Sequence, residues 1–284
     1  MPGITHPDTA LLIAAHGASE NTDSALPALR HAARVRSAAI FAEVHCGFWK
    51  QSPHITEVFK KTLSLPHITK IIIQPFFLAE GYFSQKVIPD ALGINTTSCN
   101  IFGKKIFYSK VPGLSPLLAH VMVRRASKMA AVSSLNPARA ALILVGHGTD
   151  RHQNTGDTLY RQVEIIRKMG VFAECHPAFM EMQPLVSDWA TITPRQYVMV
   201  VPFFVANGLH AYEDIPVLLG ITKKVDTTQP RWKIYKPDGH LINGRRLWYC
   251  PSIGYEPQMT QVLLDCALSS LNGPHSADNH HSVR

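Results

Sequence analysis

Two histidines and a glutamate in the second half of this 284-residue chain are the side chains best suited to bind a metal ion. His147 follows the apolar run LILVG, Glu181 lies in AFMEMQP, and His210 lies in GLHAYEDIP. Imidazole and carboxylate groups together are borderline ligands that suit divalent iron, cobalt, nickel or zinc. If the three side chains meet in the fold, they predict a site that handles one of these ions.

Each of these residues also has a purely structural interpretation. A single histidine after a strand often caps a loop, although the glycines on both sides of His147 let backbone and ligand approach closely. The apolar neighbours of Glu181 suggest a partly buried carboxylate, which a salt bridge with Arg or Lys would satisfy equally well. Glu213 and Asp214 either orient the second ring nitrogen of His210 or cap a following helix. The metal-site hypothesis therefore depends on the three residues together.

An internal repeat supports this grouping. LLIAAHGAS aligns with LILVGHGTD, and PFFLAEGYFSQKVIPD aligns with PFFVANGLHAYEDIP. A weaker match pairs VPGLSP with CPSIGYEP and requires an insertion at residues 221–243 of the second copy. Two long matches in the same order favour a duplicated domain over chance.

The two copies differ at two of the three candidate ligand positions. His16 repeats the first histidine, but Lys50 and Phe83 stand where the second copy has its glutamate and its second histidine. The first copy therefore lacks the ligand set. We predict one active centre, in the second half of the chain.

Apolar runs of strand length alternate with segments of helical periodicity in both copies. The predicted strands lie at residues 11–14, 40–44 and 71–73, and again at 142–145, 171–173 and 198–201. Continuous apolar strands between helices are typical of parallel sheets that are covered on both faces. We therefore predict an α/β fold of two lobes, whose ligands bind beyond the carboxyl ends of the strands.

The repeat also defines the predicted domains. A first lobe with a degenerate site covers residues 1–130, a second lobe with the active site covers 138–271, and the polar stretch 127–139 joins them. The remaining tail, residues 272–284, is polar and contains three histidines. We predict that this tail is disordered, and metal binding there is the weaker interpretation.

Composition excludes several classes of protein. Hydrophobic residues make up 46% and charged residues 17%, which is typical of a globular protein and not of a disordered or collagen-like one. The five cysteines are scattered and form no C-x-x-C pair, so neither a disulfide framework nor a zinc knuckle is predicted. No apolar run approaches the ~20 residues that span a bilayer, and the N-terminal sequence lacks the pattern of a signal peptide. We expect a cytoplasmic protein without a membrane partner.

The chain is basic, with 28 Lys and Arg against 20 Asp and Glu and a net charge of +8. A basic surface attracts polyanions, but no nucleic-acid-binding motif accompanies the dispersed charges, so no nucleic-acid partner is predicted. A small polycarboxylate or phosphate ligand fits the charge equally well. The basic side chains that either meet such a ligand or form a solvated surface are Lys50, Lys86, Lys223, Lys224, Arg245 and Arg246.

Together these motifs resemble a known family. HGAS, GHGTD, AFMEMQP and above all PFFVANGLHAYEDIP are similar to the class II tetrapyrrole metal chelatases of the sirohydrochlorin chelatase (CbiX/SirB) type, in a two-copy long form from about residue 11 to residue 264. The resemblance implies flavodoxin-like lobes and ATP-independent insertion of cobalt(II) or iron(II) into sirohydrochlorin, on the route to cobalamin or siroheme. The absence of a G-x-x-x-x-G-K-[ST] motif from the sequence agrees with an enzyme that uses no nucleotide.

The resemblance also implies roles for single residues. It places His147, His210 and Glu181 near the metal. From the chemistry of these side chains, His147 would accept a pyrrole proton and contact the metal, His210 would hold the incoming ion, and Glu181 would offset its charge or relay protons. No organic cofactor is expected, because the metal ion, cobalt or iron, is a substrate; nickel and zinc are further candidate substrates in vitro. The candidate macrocycle-binding residues are His16, Gly148, Phe204, Gly208, Arg245 and Arg246.

Several alternatives stay open at the level of sequence. A non-catalytic carrier of a metal or tetrapyrrole would keep the same ligands, whereas a metal-dependent hydrolase would need a nucleophile-positioning motif that we do not find. Phe204 either lines a flat apolar cleft or belongs to the core. The insertion 221–243 and the change to Phe83 also allow a macrocycle other than sirohydrochlorin.

Overall fold

The computed structural model describes residues 5–18, 24–148, 154–223 and 230–272. Within them, each half of the chain forms a five-stranded sheet. The predicted disordered tail lies outside the described residues from position 273 onward, and so does Lys224. None of the described helices is long and apolar enough to cross a lipid bilayer.

The first half of the chain supplies the first sheet. Its strands are β1 (His6–Ala15), β2 (Phe41–Phe48), β3 (Lys70–Pro75), β4 (Ser98–Ile101) and β5 (Lys104–Tyr108). They lie in the order β2-β1-β3-β5-β4, and all are parallel to their neighbours except β4, which is antiparallel to β5. Strands β1 and β3 are buried on both faces, as expected for parallel strands between layers of helices.

The second half repeats this sheet. Its strands are β6 (Ala140–Gly146), β7 (Glu174–Phe179), β8 (Tyr197–Pro202), β9 (His240–Ile242) and β10 (Arg245–Tyr249). Their order is β7-β6-β8-β10-β9, and β9 is antiparallel to β10. The shared topology confirms the predicted α/β fold of two lobes with parallel sheets.

The last two strands of each sheet are missing from the sequence-based prediction. β4 has four residues and β9 has three, and both lie at the edge of their sheet with part of each strand exposed. β5 and β10 both begin with two basic residues, so their apolar runs are short. Such strands lack the continuous apolar pattern that marks β1, β3, β6 and β8.

The helices form three layers around the sheets. They are α1 (Leu26–Ser37), α2 (Ile55–Leu63), α3 (Ile88–Leu92), α4 (Leu117–Val132), α5 (Asn154–Met169), α6 (Trp189–Ile192), α7 (Ile215–Leu218) and α8 (Met259–Leu271). Helices α1, α4, α5 and α8 share one continuous apolar core with the inner faces of both sheets. Helices α2 and α3 cover the outer face of the first sheet, and α6 and α7 cover that of the second.

The two lobes exchange their last helices. Helix α4 contacts β8 of the second sheet, and α8 contacts β3 and β5 of the first. Leu118 and Met122 of α4 and Leu263 and Ala267 of α8 are fully buried in the shared core. The segment between residues 130 and 138 thus separates two sheets, but it does not separate two independent cores.

A buried histidine lies in this shared core. The Nδ1 atom of His31 lies 2.8 Å from Oγ1 of Thr260, and its Nε2 atom lies 2.7 Å from the carbonyl oxygen of Gly254. Burial and, to a smaller extent, the charge of Arg34 lower the pKa of His31 from 6.5 to about 4, against the opposing effect of the hydrogen bond to Gly254. The ring is therefore neutral in the folded protein at neutral pH.

We expect acid to destabilise the wild-type protein more than a His31→Gln variant. Between pH 6.5 and about 4 the unfolded chain binds a proton at His31 that the folded chain does not bind, so the free energy of unfolding decreases as the pH decreases. The shift corresponds to about 3 kcal/mol at most. Urea unfolding of both proteins at pH 7 and pH 4 measures the difference, and an equal loss in both would contradict it.

Candidate metal-transfer site

Three neighbouring strands of the second sheet bring the candidate residues together. His147 follows β6, Glu181 follows β7 and His210 follows β8, and these strands are adjacent in the order β7-β6-β8. The backbone N–H groups of Met180 and Glu181 donate to the carbonyl oxygen of His147, at 3.0 and 3.1 Å. The loops after β6 and β7 are therefore joined directly beside the first histidine.

The side chains of these residues form one cluster. The ring centroids of His147 and His210 are 4.9 Å apart, with the rings nearly perpendicular. The Nδ1 atom of His147 lies 3.5 Å from Oε2 of Glu181. The structure thus places two imidazoles and one carboxylate at the carboxyl edge of the second sheet, where ligands of parallel α/β sheets bind.

Hydrogen bonds fix which ring nitrogen of each histidine carries the proton. Nδ1 of His147 donates to the carbonyl oxygen of Gly148 at 2.9 Å, and Nδ1 of His210 donates to Oδ2 of Asp214 at 2.7 Å. Both rings therefore keep a lone pair on Nε2, the form in which imidazole binds a metal ion.

Asp214 orients His210 and does not cap the following helix. No side-chain capping hydrogen bond is found at the start of α7, although Asp214 occupies the N-cap position. The other acidic candidate, Glu213, lies 3.5 Å from the guanidinium of Arg231. Of the two interpretations of Asp214, the orienting one therefore agrees with the structure.

His210 begins a short π-helical segment, His210–Asp214, that leads into α7. Such segments are rare and often occur at functional sites. The buried hydroxyl of Tyr249 donates to the carbonyl oxygen of Ala211 at 2.6 Å and anchors this segment to β10. Burial raises the pKa of Tyr249 well above its usual value, so the phenol remains a donor. Sequence analysis misses this contact because β10 is itself not predicted.

The cluster is open to solvent. The side chains of Glu181, His210 and His147 are 58%, 49% and 36% exposed. The expectation of a partly buried Glu181 is therefore wrong, and its carboxylate lies beside the imidazole of His147 instead of pairing with a lysine or arginine. In the described ranges, no three His, Cys, Asp or Glu residues form a ready-made metal cage. An open, incomplete ligand set suits a metal ion that has to be passed on.

Glycines shape the backbone of the site in different ways. Gly148 has a φ of +71°, and a Cβ atom there would lie 2.5 Å from Cγ of Met182 and 2.9 Å from Cβ of Phe179. The turn therefore requires glycine for reasons of backbone and packing. A Cβ atom at Gly208 would meet no atom within 4 Å, so the backbone there faces open space.

The first lobe repeats the frame of the site with other chemistry. Nδ1 of His16 donates to the carbonyl oxygen of Gly17 at 2.7 Å, and the backbone N–H of Lys50 donates to the carbonyl oxygen of His16 at 2.8 Å. Phe83 takes the place of the second imidazole, with its ring 4.5 Å from that of His16. The frame is intact, but the second imidazole and the carboxylate are absent from these positions.

Phe204 lies both beside the cluster and against the core, which are the two environments predicted for it. Its ring centroid lies 6.1 Å from that of His210, and the half-buried side chain also packs against the outer core of the second lobe. Phe204 therefore forms an apolar wall beside the cluster.

The structure does not bring Arg245 and Arg246 to the site. Arg246 pairs with Tyr197 at the beginning of β8, whereas the histidines follow the ends of the parallel strands. The guanidinium of Arg245 donates to three backbone carbonyls in the segment 190–195 and lies 4.7 Å from the ring centroid of Trp189. The prediction that these arginines contact a macrocycle is therefore wrong. The direction of β10 places both arginines at the edge of the sheet opposite to the edge that carries the histidines.

We expect Arg245→Gln to lower stability without weakening the binding of an anionic ligand. The variant loses charge-assisted hydrogen bonds to backbone carbonyls, which corresponds to about 1–2 kcal/mol at a partly exposed position. Thermal unfolding and ligand titration at two salt concentrations measure the two effects. The exposed Arg246 provides the matched control: Arg246→Gln should change neither quantity much. Weaker ligand binding by Arg245→Gln at unchanged stability would contradict this interpretation.

The fold and the cluster define a class of protein: two α/β lobes of one topology, with an open pair of imidazoles and a carboxylate at the carboxyl edge of one sheet. Imidazole and carboxylate groups are side chains of the kind that bind divalent metal ions. The CbiX family matches residues 10–129 and again residues 141–269, and the chain belongs to this family.

Similar proteins carry related names. A probable sirohydrochlorin cobaltochelatase of Halobacterium salinarum is 32% identical over 275 residues, which cover 91% of this chain and 90% of the relative. The sirohydrochlorin chelatase SirB of Bacillus subtilis subspecies spizizenii, solved with cobalt, matches with a TM-score of 0.64 at 17% identity, over 94% of this chain and 97% of that one.

A third match is a longer protein. DR2241 of Deinococcus radiodurans is described as a multi-domain protein with structural similarity to chelatases, and it matches with a TM-score of 0.74 at 20% identity. The match covers 92% of this chain but 54% of that one, so this chain spans about half the length of DR2241. At these low identities the structural matches support the fold.

Proposed function

We propose that this chain catalyses the ATP-independent insertion of cobalt(II) or iron(II) into sirohydrochlorin or a closely related tetrapyrrole. The observation that carries the proposal is the pair of Nε2 lone pairs on His147 and His210, each fixed by a hydrogen bond at the opposite ring nitrogen. Membership of the CbiX family and the name of the Halobacterium relative support the choice of reaction.

The two imidazoles hold the incoming ion loosely. Two nitrogen ligands leave most coordination positions of a divalent ion to water, so the pyrrole nitrogens of a macrocycle can replace them one by one. The exposed edge gives a large, flat substrate access to the ion from one side. Phe204 provides apolar contact beside His210.

The reaction also releases protons. Two pyrrole N–H bonds break as two nitrogen–metal bonds form, and the protons require acceptors near neutral pH. As the ion leaves His147, its Nε2 lone pair becomes free and accepts one of them. The resulting imidazolium keeps its Nδ1 proton directed at the carbonyl of Gly148, and the carboxylate of Glu181 at 3.5 Å stabilises the added charge. The second proton leaves to solvent at the open edge.

An open ligand set favours transfer over storage. A carrier would bind its ion in a closed cage, whereas all three side chains here are at least one-third exposed. Nickel or zinc as an in-vitro substrate, a cytoplasmic location and the absence of a nucleic-acid partner stay predictions.

The decisive experiment follows the absorption spectrum of sirohydrochlorin with Co²⁺ or Fe²⁺, with and without the protein. We expect insertion to be faster than the spontaneous reaction. Binding of metal and macrocycle without acceleration would favour the carrier. Acceleration with a different macrocycle but not with sirohydrochlorin would identify that macrocycle as the substrate.

We expect Glu181→Gln to lower kcat about tenfold while stability and macrocycle binding stay unchanged. The amide is nearly isosteric with the carboxylate but carries no charge to stabilise the His147 imidazolium, and the side chain is too exposed to support the fold. Insertion rates and thermal unfolding measure the two properties. Glu164→Gln is the matched control, because Glu164 is equally exposed but pairs with Arg167 on the same helix, α5, and does not belong to the cluster. A large loss of stability at normal turnover would identify a structural carboxylate instead.

A further inference from the structure

One turn of the second lobe supports the segment that leads to His210. Gly254 lies against the peptide of Val205, so closely that a Cβ atom on Gly254 would be 1.7 Å from the carbonyl oxygen of Val205. In the same turn, the backbone N–H of Ser252 donates to Oδ1 of the buried Asn207 at 2.8 Å. Val205 and Asn207 both precede His210 by a few residues, so the position of this turn fixes the backbone that carries the imidazole.

The first lobe holds this turn from the other side. Nε2 of His31 on α1 donates to the carbonyl oxygen of Gly254 at 2.7 Å. Glu256, which is 1% exposed, forms ion pairs with Arg125 at 3.0 Å and Lys128 at 2.6 Å, both on α4. Helices α1 and α4 of the first half therefore contact the turn that supports the candidate metal-binding segment of the second half.

The repeat contains the same contact in the opposite direction. Gln162 on α5 occupies the position in the second copy that His31 occupies in the first, and both side chains are fully buried. Nε2 of Gln162 donates to the carbonyl oxygen of Gly113 at 2.7 Å, and a Cβ atom on Gly113 would lie 1.5 Å from the carbonyl oxygen of Leu78. Leu78 belongs to the segment that leads to Phe83, which carries no metal-binding group.

We propose that His31 is a positioning residue for metal transfer: through Gly254 and Val205 it holds the segment that carries His210. The lobe that lacks the imidazole pair thereby completes the active centre of the other lobe. The inference rests on the proposed function for its kinetic readout, but its effect on metal binding can be measured without any tetrapyrrole.

The chemistry of the contact suggests the variants. The neutral ring donates from Nε2 to Gly254 and accepts from the hydroxyl of Thr260 at Nδ1. A glutamine at position 31 can make both hydrogen bonds. Gln162, the counterpart of His31 in the second copy, donates in the same way to the carbonyl oxygen of Gly113. A leucine can make neither, so His31→Leu leaves the buried carbonyl of Gly254 without its donor and lets the turn shift. Small displacements of a reacting group lower rates steeply.

The experiment compares His31→Leu with Gln162→Leu, which removes the equivalent buried contact from the other lobe. Titration with Co²⁺ alone, thermal unfolding, and kcat and KM for insertion are measured for both. We expect similar losses of Tm, but a kcat and a Co²⁺ affinity about tenfold lower in His31→Leu alone, with KM for the macrocycle unchanged within about twofold. His31→Gln should restore both quantities.

Equal kcat and Co²⁺ affinity in the two leucine variants would overturn the inference, because His31 would then have a structural role only. If His31→Leu fails to fold, Asn207→Ala removes the acceptor for Ser252 on the same turn, and unchanged Co²⁺ affinity in that variant would also overturn it. Absence of insertion by the wild-type protein would refute the proposed function. The Co²⁺ titrations would still decide the role of His31.

Discussion

His147→Ala and His210→Ala are each expected to lower the rate of metal insertion by at least ~10²-fold, whereas His16→Ala should lower it only a few-fold. Removal of either imidazole of the pair leaves a single nitrogen ligand, and removal of His147 also removes the proton acceptor. Steady-state rates with sirohydrochlorin and Co²⁺ measure the loss. Titration with Co²⁺ alone should show a parallel loss of metal affinity.

His16→Ala is a close control for His147→Ala. Both histidines follow the first strand of their lobe, β1 or β6, and donate from Nδ1 to the carbonyl oxygen of the next residue, at 2.7 and 2.9 Å. The two variants therefore remove the same group from the same backbone frame. An equal loss in both would show that one ligand contacts both lobes, and the assignment of a single centre in the second lobe would be wrong.

The triple variant Lys50→Glu, Phe83→His and Val87→Asp is expected to create a second metal site, in the first lobe. These changes restore the carboxylate, the second imidazole and the aspartate that orients it, at the positions of Glu181, His210 and Asp214 in the repeat. The backbone already matches, because Phe83–Val87 forms the same π-helical segment as His210–Asp214. Equilibrium dialysis should show two bound Co²⁺ ions per chain where the wild-type protein binds one.

The same changes provide a stricter test when His147 and His210 are both replaced by alanine. In that background we expect Co²⁺ binding to be lost and the triple variant to restore one ion per chain. The single change Phe83→His is the control, and it should restore little because its new imidazole lacks an orienting acid. A folded triple variant that binds no additional ion would show that other residues of the second lobe are required.

The sequence by itself determined the elements that are buried on both sides. The inner strands β1, β3, β6 and β8 have continuous apolar runs because helices cover both faces, and this pattern needs no knowledge of their partners. The edge strands β4 and β9 are half exposed and short, so the same reasoning fails there. The resemblance to the CbiX family could also be inferred from the sequence, because each repeated motif is a short continuous stretch of the chain.

The sequence also determined which residues form the candidate cluster. A comparison of the two copies singles out Glu181 and His210, since Lys50 and Phe83 replace them in the first copy. Parallel strands then bring the three side chains to one edge, which is a consequence of topology. Their arrangement still depended on the fold: Glu181 is exposed and lies 3.5 Å from the imidazole of His147, although its apolar neighbours suggest burial.

Only the tertiary structure decided how the lobes depend on each other. Three features depend on residues that are distant in sequence: the exchange of α4 and α8, the contact of His31 with Gly254, and the position of Arg245 away from the site. Local periodicity reports which face of an element is buried, but not which element covers it, because any apolar surface satisfies the pattern. Strand direction and helix exchange are fixed by packing of the whole chain, and they decide which charged and polar groups can reach the metal-binding edge.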